Sequence, residues 1–229
     1  SHTTEIDDAL SVQGLGSGVV VVGIHIAAPG LAITPESVVD QIGRQRLSTV
    51  YMPGHKITML PNDLVQTYTL EGGRDCPAVS LYVTLEEDSL RIVSSETRLE
   101  RVPIVANLRH DRLDTVVTEA WLHAEVADTT IPDDHPASGI DALPHAELAF
   151  LYRLAKSLKS QREVVRGKPE TFSRPDYTFR LEGVSDQGPQ GQETVVLGVR
   201  QRGAPLDLIV AEAMILANST WGQWMRSEE

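Results

Sequence analysis

Apolar positions along this chain follow two different periods. Alternating apolar and polar residues, or short apolar runs bounded by turn residues, predict six β-strands, at 9–13, 18–28, 78–85, 90–95, 177–181 and 194–200. A repeat every three or four positions predicts four helices, at 34–47, 112–125, 145–161 and 206–224. Strands paired through loops, with no repeating strand–helix–strand unit, predict an α+β fold. Its mixed, mostly antiparallel sheet is expected to pack against the helices.

Individual residues refine these elements. Thr34 and Pro35 have the residue types of an N-cap and a first helical turn, so the first helix is expected to begin there. His25 lies within an apolar strand and is expected to be a buried strand residue rather than a catalytic one. The last helix is expected to be largely buried, with Trp221 and Trp224 in the core.

The segment 128–141 is rich in Asp, Pro, Thr and Gly and predicts an exposed loop. A domain boundary at this loop and an insertion within one domain both fit the pattern, and we favour the insertion. A second glycine-rich stretch, at 14–18, lacks the following helix and the spacing of a nucleotide-binding fingerprint. We therefore assign no phosphate-binding role to it.

Composition restricts the class of protein. The chain has 229 residues, 41% of them hydrophobic, which is ordinary for a globular protein of one large domain or two small ones. Because Cys76 is the only cysteine, an intrachain disulfide and a cysteine-based zinc site are excluded, and a reducing, cytoplasmic location is expected. The sequence has no apolar run of about 18 residues, so no membrane span is predicted. The net charge of −12 argues against a protein that grips nucleic acid by bulk electrostatics.

Three carboxylates, Glu5, Asp7 and Asp8, precede the first predicted strand. Like charges this close are unfavourable unless a cation lies among them. Hard oxygen donors in this arrangement suit Mg²⁺, with Mn²⁺ as an alternative. A solvated acidic turn explains the same residues and remains open at this point.

Four well-separated motifs resemble the ribonuclease II (RNB) family, in the order in which that family has them. They are 5–12 with 22–27, 44–53 with 57–61, 173–177, and 211–218. The resemblance implies that residues 1–229 form most of an RNB catalytic domain. In the family, OB-type RNA-binding domains usually flank this domain, and they are not expected within this chain.

The resemblance also implies an activity, which is processive 3′→5′ hydrolysis of single-stranded RNA to nucleoside 5′-monophosphates, with Mg²⁺ as cofactor and a monomer as the acting form. It assigns catalysis and metal binding to Glu5, Asp7 and Asp8, although the family usually has aspartate where Glu5 stands. A fourth family aspartate would stand just before Ser1, and the family's catalytic arginine would follow Glu229.

Four further residues are implied to contact RNA. Tyr51 matches the ring that stacks on the 3′-terminal base, and Phe172 resembles its partner on the other side of the base. Glu212 matches an acid near the nucleotide sugar, with a helix-to-helix salt bridge as the alternative. Arg46 is expected to contact a phosphate, or to pair with Asp40 or a carboxylate of the site.

Two other functions remain open. The first is a degenerate RNB protein that binds RNA without cutting it. Two departures from the family pattern favour it, because Glu5 and Ala28 stand where the family commonly has aspartate. An unrelated metal-dependent phosphoesterase acting on other substrates would need no ring that stacks on a base.

Overall fold

The computed structural model describes residues 5–53, 55–109, 113–132, 140–170, 176–185, 188–200 and 203–228. The chain divides into two compact units. The first comprises Ser1–Ile6, Ala28–Thr69 and Phe172–Arg202, and the second comprises Asp7–Ala27, Leu70–Thr171 and Gly203–Glu229. Neither division falls at 128–141. Of that segment, 128–132 and 140–141 form no helix or strand, and 133–139 lie outside the described residues.

Strands and helices alternate irregularly along the chain, which confirms the predicted α+β class. The strands are β1 (Asp8–Gln13), β2 (Val19–Ala27), β3 (Val50–Met52), β4 (His55–Ile57), β5 (Arg74–Glu86), β6 (Ile92–Ile104), β7 (Asp176–Glu182) and β8 (Thr194–Arg200). The α-helices are α1 (Val38–Arg46), α2 (Asn62–Tyr68), α3 (Glu119–His123), α4 (His145–Arg166) and α5 (Pro205–Ser227), and a 3₁₀ turn spans Pro29–Ala32.

The second unit is built on a four-stranded antiparallel sheet with the order β1-β2-β5-β6. Alternate residues of β2 and β5 point to one face of the sheet and are almost completely buried there. Helices α4 and α5 supply the opposing apolar side chains, including Leu151, Leu154 and Ile209. Each such residue contributes roughly 1.5–3 kcal/mol through burial, so this layer is the main source of stability in the unit.

The opposite face of the same sheet carries a buried polar network. His25 is 1% exposed, which confirms the prediction of a buried strand residue. Its ring nitrogens lie 2.9 Å from Ser11 Oγ and 2.8 Å from Ser80 Oγ. The Ser80 hydroxyl in turn donates to Glu100 on β6, so the polar contacts cross all four strands.

The glycine-rich loop between β1 and β2 already holds an anionic group. The amides of Gly16 and Gly18 donate to the Glu87 carboxylate at 2.8–3.0 Å. These hydrogen bonds hold the pKa of Glu87 below its ordinary value. The loop therefore binds a side chain of the β5–β6 turn.

In the first unit, α1 begins three residues later than predicted, with its N-cap at Ser37 instead of Thr34. The Ser37 hydroxyl accepts from the Asp40 amide and caps the helix, whereas Glu36 has a φ of 65°, which is outside helical geometry. The prediction that the helix starts at Thr34 is therefore wrong. This unit also contains the antiparallel hairpins β3–β4 and β7–β8, the second of which matches the predicted pair.

Three expectations for the second unit need correction. The predicted helix at 112–125 is not continuous, because residues 114–118 are not helical and α3 begins only after the N-cap Thr118. Helix α5 is not largely buried, because its buried residues are confined to Leu206, Ile209, Glu212 and Ala217. Trp221 packs against the core as expected, but Trp224 is 60% exposed. In the described part of the chain, no helix is both long and apolar enough to cross a membrane.

Candidate functional site

Asp7 and Asp8 stand where the chain enters β1, an edge strand of the four-stranded sheet. The Ala27 amide donates to the Asp7 carbonyl at 2.8 Å, and Asp8 lies opposite Ile26. The Asp7 residue is exposed and Asp8 is half-buried. Backbone pairing with β2 therefore holds both residues at this edge of the sheet.

Glu5 belongs to the first unit, and its carboxylate meets a cation there. Lys56 Nζ lies 3.6 Å from Glu5 Oε2, and the Tyr51 hydroxyl donates to the same oxygen at 3.3 Å. The Glu5 side chain is only 10% exposed. The negative charge of Glu5 is therefore balanced by a lysine that the sequence did not mark as functional.

The donor chemistry for a metal fits two of the three acids. The oxygens of Asp7 and Asp8 are the hard donors that Mg²⁺ and Mn²⁺ prefer, whereas Lys56 already contacts Glu5. Within the ranges that the structure describes, no group of three or more His, Cys, Asp or Glu side chains is arranged to hold a metal ion. Metal binding by Glu5, Asp7 and Asp8 stays a prediction.

The Tyr51 ring is open to a ligand. It lies in the β3–β4 hairpin and the residue is 66% exposed. An aromatic face with this exposure can stack on a nucleotide base. Phe172, its predicted partner, lies outside the described residues, as do positions 173–175 of the third motif.

Glu212 is held in an ion pair within the second unit. One Arg162 nitrogen lies 2.6 Å from a Glu212 oxygen and 2.6 Å from a Glu170 oxygen. These two acids raise the pKa of Arg162, and Arg162 lowers the pKa of Glu170. Because Glu212 is 2% exposed, the structure supports the helix-to-helix salt bridge, while the predicted contact with the sugar stays a prediction.

Arg46 is exposed, and its guanidinium donates to the Thr58 carbonyl at 2.8 Å. This bond ties the end of α1 to the segment after β4. The expected pair with Asp40 is not the observed one, because Asp40 contacts Arg44 at 3.0 Å. Contact between Arg46 and a phosphate stays a prediction.

Lys56 is the site residue that sequence reasoning missed. The turn at Pro53 and Gly54 could have suggested that residues 51 and 56 face each other across a hairpin. Their shared contact with Glu5, about 50 positions earlier in the chain, depends on tertiary packing that no local pattern encodes.

Known proteins are similar to this chain in sequence and in fold. The RNB domain family model matches residues 1–229. Exoribonuclease 2 of Vibrio parahaemolyticus is 28% identical, over 99% of this chain and 30% of that protein. This chain therefore spans about a third of the length of that relative.

Solved structures show the same fold. The Dss1 exoribonuclease of Candida glabrata, an active-site mutant, matches with a TM-score of 0.75 at 20% identity, over 100% of this chain and 29% of that one. Mycoplasma genitalium RNase R in complex with double-stranded RNA matches with a TM-score of 0.74 at 16% identity, over 100% of this chain and 36% of that one. Yeast Ssd1, a pseudonuclease, matches with a TM-score of 0.53 at 23% identity, over 75% of this chain and 18% of that one. With a family match along its whole length, this chain belongs to the RNB domain family.

Proposed function

We propose that this chain is the catalytic part of a processive 3′→5′ exoribonuclease that hydrolyses single-stranded RNA to nucleoside 5′-monophosphates. The observation that carries the proposal is the RNB family match over residues 1–229, which includes the acidic motif at the start of β1. Relatives named Exoribonuclease 2 and Ribonuclease R lend support.

The chemistry of the substrate explains why acids are needed. A phosphodiester is anionic, and its hydrolysis requires an activated water and neutralisation of charge on the phosphate. Asp7 and Asp8 would hold Mg²⁺, or Mn²⁺, through their carboxylates. Divalent ions held by these two acids would lower the pKa of a water and would neutralise charge on the entering and leaving oxygens.

The exposed Tyr51 ring supports single-stranded RNA as the substrate. Stacking of a base on an aromatic ring contributes roughly 1–3 kcal/mol and tolerates any base, which suits an enzyme that degrades RNA of any sequence. We propose that Tyr51 binds the 3′-terminal base, with Phe172 on the other side of that base.

A second candidate is an RNB protein that binds RNA without cutting it. The ion pair between Glu5 and Lys56 favours it, because a carboxylate that neutralises a lysine is a poorer ligand for a metal. The fold of yeast Ssd1, described as a pseudonuclease, resembles 75% of this chain, which supports a role without cleavage.

An assay with 5′-labelled single-stranded RNA separates the two candidates. The full-length protein is incubated with the RNA in Mg²⁺ or in EDTA, and the products are resolved by length. Stepwise shortening from the 3′ end in Mg²⁺ alone is the result that the enzyme predicts. Binding in both buffers without shortening would favour the second candidate.

A further inference from the structure

Tyr51 and Lys56 occupy directly opposite positions of the β3–β4 hairpin. Residues opposite each other in an antiparallel pair project from the same face, with their Cβ atoms close together. Both side chains reach one atom, Glu5 Oε2, at 3.3 Å from the Tyr51 hydroxyl and 3.6 Å from Lys56 Nζ. A single carboxylate oxygen therefore bridges the two strands of the hairpin.

Burial differs sharply within this group of three. The side chains of Glu5 and Lys56 are 10% and 24% exposed, whereas Tyr51 is 66% exposed. The charged atoms are thus largely covered, and the aromatic ring stays open to solvent. This is the arrangement expected of an aromatic platform that is held at its hydroxyl while most of the residue stays exposed.

The backbone beside Glu5 is fixed independently. The Ile6 amide donates to Thr69 Oγ1 at 2.8 Å, and Thr69, which follows α2, is 7% exposed. Since the neighbouring residue is anchored to a buried hydroxyl, the backbone position of Glu5 is fixed without help from Tyr51. The Glu5 carboxylate can therefore restrain the orientation of the Tyr51 ring.

We propose that Glu5 and Lys56 are positioning residues that orient Tyr51 for the 3′-terminal base, and that Glu5 is not a metal ligand in this chain. This inference rests on the proposed function, because it names how that site holds the end of the RNA. It also explains the glutamate. Aspartate is shorter by one methylene, so from the same backbone its carboxylate would lie farther from the Tyr51 hydroxyl.

The expected effect is modest. A distance of 3.3 Å is long for a hydrogen bond between oxygens, and the Lys56 contact is an ion pair rather than a short hydrogen bond. One such contact is worth about 1 kcal/mol. Its loss should weaken binding of the RNA end by about 3- to 10-fold.

The first measurement is RNA binding without turnover. The full-length protein is titrated in EDTA against a short single-stranded RNA with a 5′ fluorophore, and the variants are Glu5→Asp, Tyr51→Phe and the double variant. Each single variant should bind about 3- to 10-fold more weakly, and the double variant no more weakly than the worse single one. Wild-type affinity in Glu5→Asp, or effects that multiply in the double variant, would overturn the inference.

The second measurement is the Mg²⁺ concentration that gives half-maximal shortening. Glu5→Asp and Glu5→Gln should leave this concentration within about 2-fold of wild type, as should the control Asp63→Asn on the exposed start of α2. An increase of about 10-fold or more in Glu5→Gln alone would identify a metal ligand and overturn the inference. If wild type shortens no RNA, the proposed function fails, and the binding cycle in EDTA still decides the inference.

Discussion

Arg162 on α4 and Glu212 on α5 form a 2.6 Å ion pair that joins the two long helices of the second unit. Glu212 is nearly inaccessible, whereas the Arg162 side chain is 26% exposed and also binds Glu170. The pair is therefore only partly buried. Removing one partner should cost less than the roughly 3–5 kcal/mol seen for fully buried pairs.

Glu212→Gln should lower the free energy of unfolding by about 2 kcal/mol, because it leaves the Arg162 charge with one partner fewer. Chemical denaturation measures this loss. The matched control is Glu96→Gln, which removes the exposed pair with Arg98 and should cost less than about 1 kcal/mol. Equal losses in the two variants would contradict the account.

The same variant decides the role of Glu212 in RNA recognition. If the carboxylate acts through Arg162, the ratio of RNA to DNA cleavage should stay within about 2-fold of wild type, because no substrate contact is lost. A ratio that changes by tenfold or more, with stability unchanged, would instead assign Glu212 to the sugar.

His25 should make stability fall in mild acid. Burial lowers the pKa of His25 below its ordinary value of 6.5, with a smaller opposing effect of Glu100. Burial also raises the pKa of Tyr82 to about 12. For Glu100, burial acts to raise the pKa, but hydrogen bonds from Tyr82 and Ser80 together with the nearby His25 and Arg98 lower it overall. In mild acid, His25 is therefore the member of this group whose protonation differs between the folded and unfolded chain.

The sign follows from the two states of the chain. Below pH 6.5 the histidine of the unfolded chain takes up a proton, while the folded chain resists protonation until its lower pKa is reached. The free energy of unfolding should thus decrease as the pH falls through 6.5. Urea denaturation of wild type and His25→Gln between about pH 5 and 8 tests this. The variant should lack the histidine-dependent part of the slope, and identical slopes would count against the prediction.

Gly23 should be intolerant of any side chain. A Cβ at this position would lie 2.4 Å from Ser11 Oγ and 2.7 Å from His25 Nε2. Gly23→Ala should therefore destabilise the protein by about 1–3 kcal/mol, as overpacking does, and should break the Ser11–His25 contact.

Gly222 on α5 supplies the control, because a Cβ there meets nothing within 4 Å. Gly222→Ala should be neutral or stabilising by up to about 1 kcal/mol, since alanine favours the helix. Thermal unfolding of both variants compares them. If Gly23→Ala unfolds at the same temperature as Gly222→Ala or at a higher one, the sheet accommodates the methyl group and the prediction is wrong.

Much of the sheet and the long helices could be predicted from local pattern. The β1–β2 hairpin follows from glycines between two apolar runs, and α4 from its apolar period, although it continues to Arg166. The second half of β6 was missed, because four of the six residues at 96–101 are charged and this edge strand is largely exposed. The start of α1 was misplaced because both Thr34 and Ser37 can cap a helix, and sequence alone did not rank them.

The candidate site could be predicted in its residue types but not in its pairings. Asp7 and Asp8 were singled out by the carboxylate cluster and by motif resemblance, and Tyr51 by motif resemblance. Asp7 and Tyr51 are exposed and Asp8 is half-buried, while the roles of all three stay predictions. The partners Lys56 of Glu5 and Arg162 of Glu212 were not foreseen. Both contacts join segments far apart in the chain, and long side chains of either charge occur too often for composition to select the right pair.

The most direct test of the central claim is the rate of 3′ shortening by Asp7→Asn and Asp8→Asn in the full-length protein. Asparagine keeps the size of each side chain but removes the charge that would hold a divalent ion. In Mg²⁺, each variant should shorten 5′-labelled single-stranded RNA at least about 100-fold more slowly than wild type. Affinity for the RNA in EDTA should stay unchanged. Shortening at the wild-type rate by both variants would contradict the assignment of these carboxylates to catalysis.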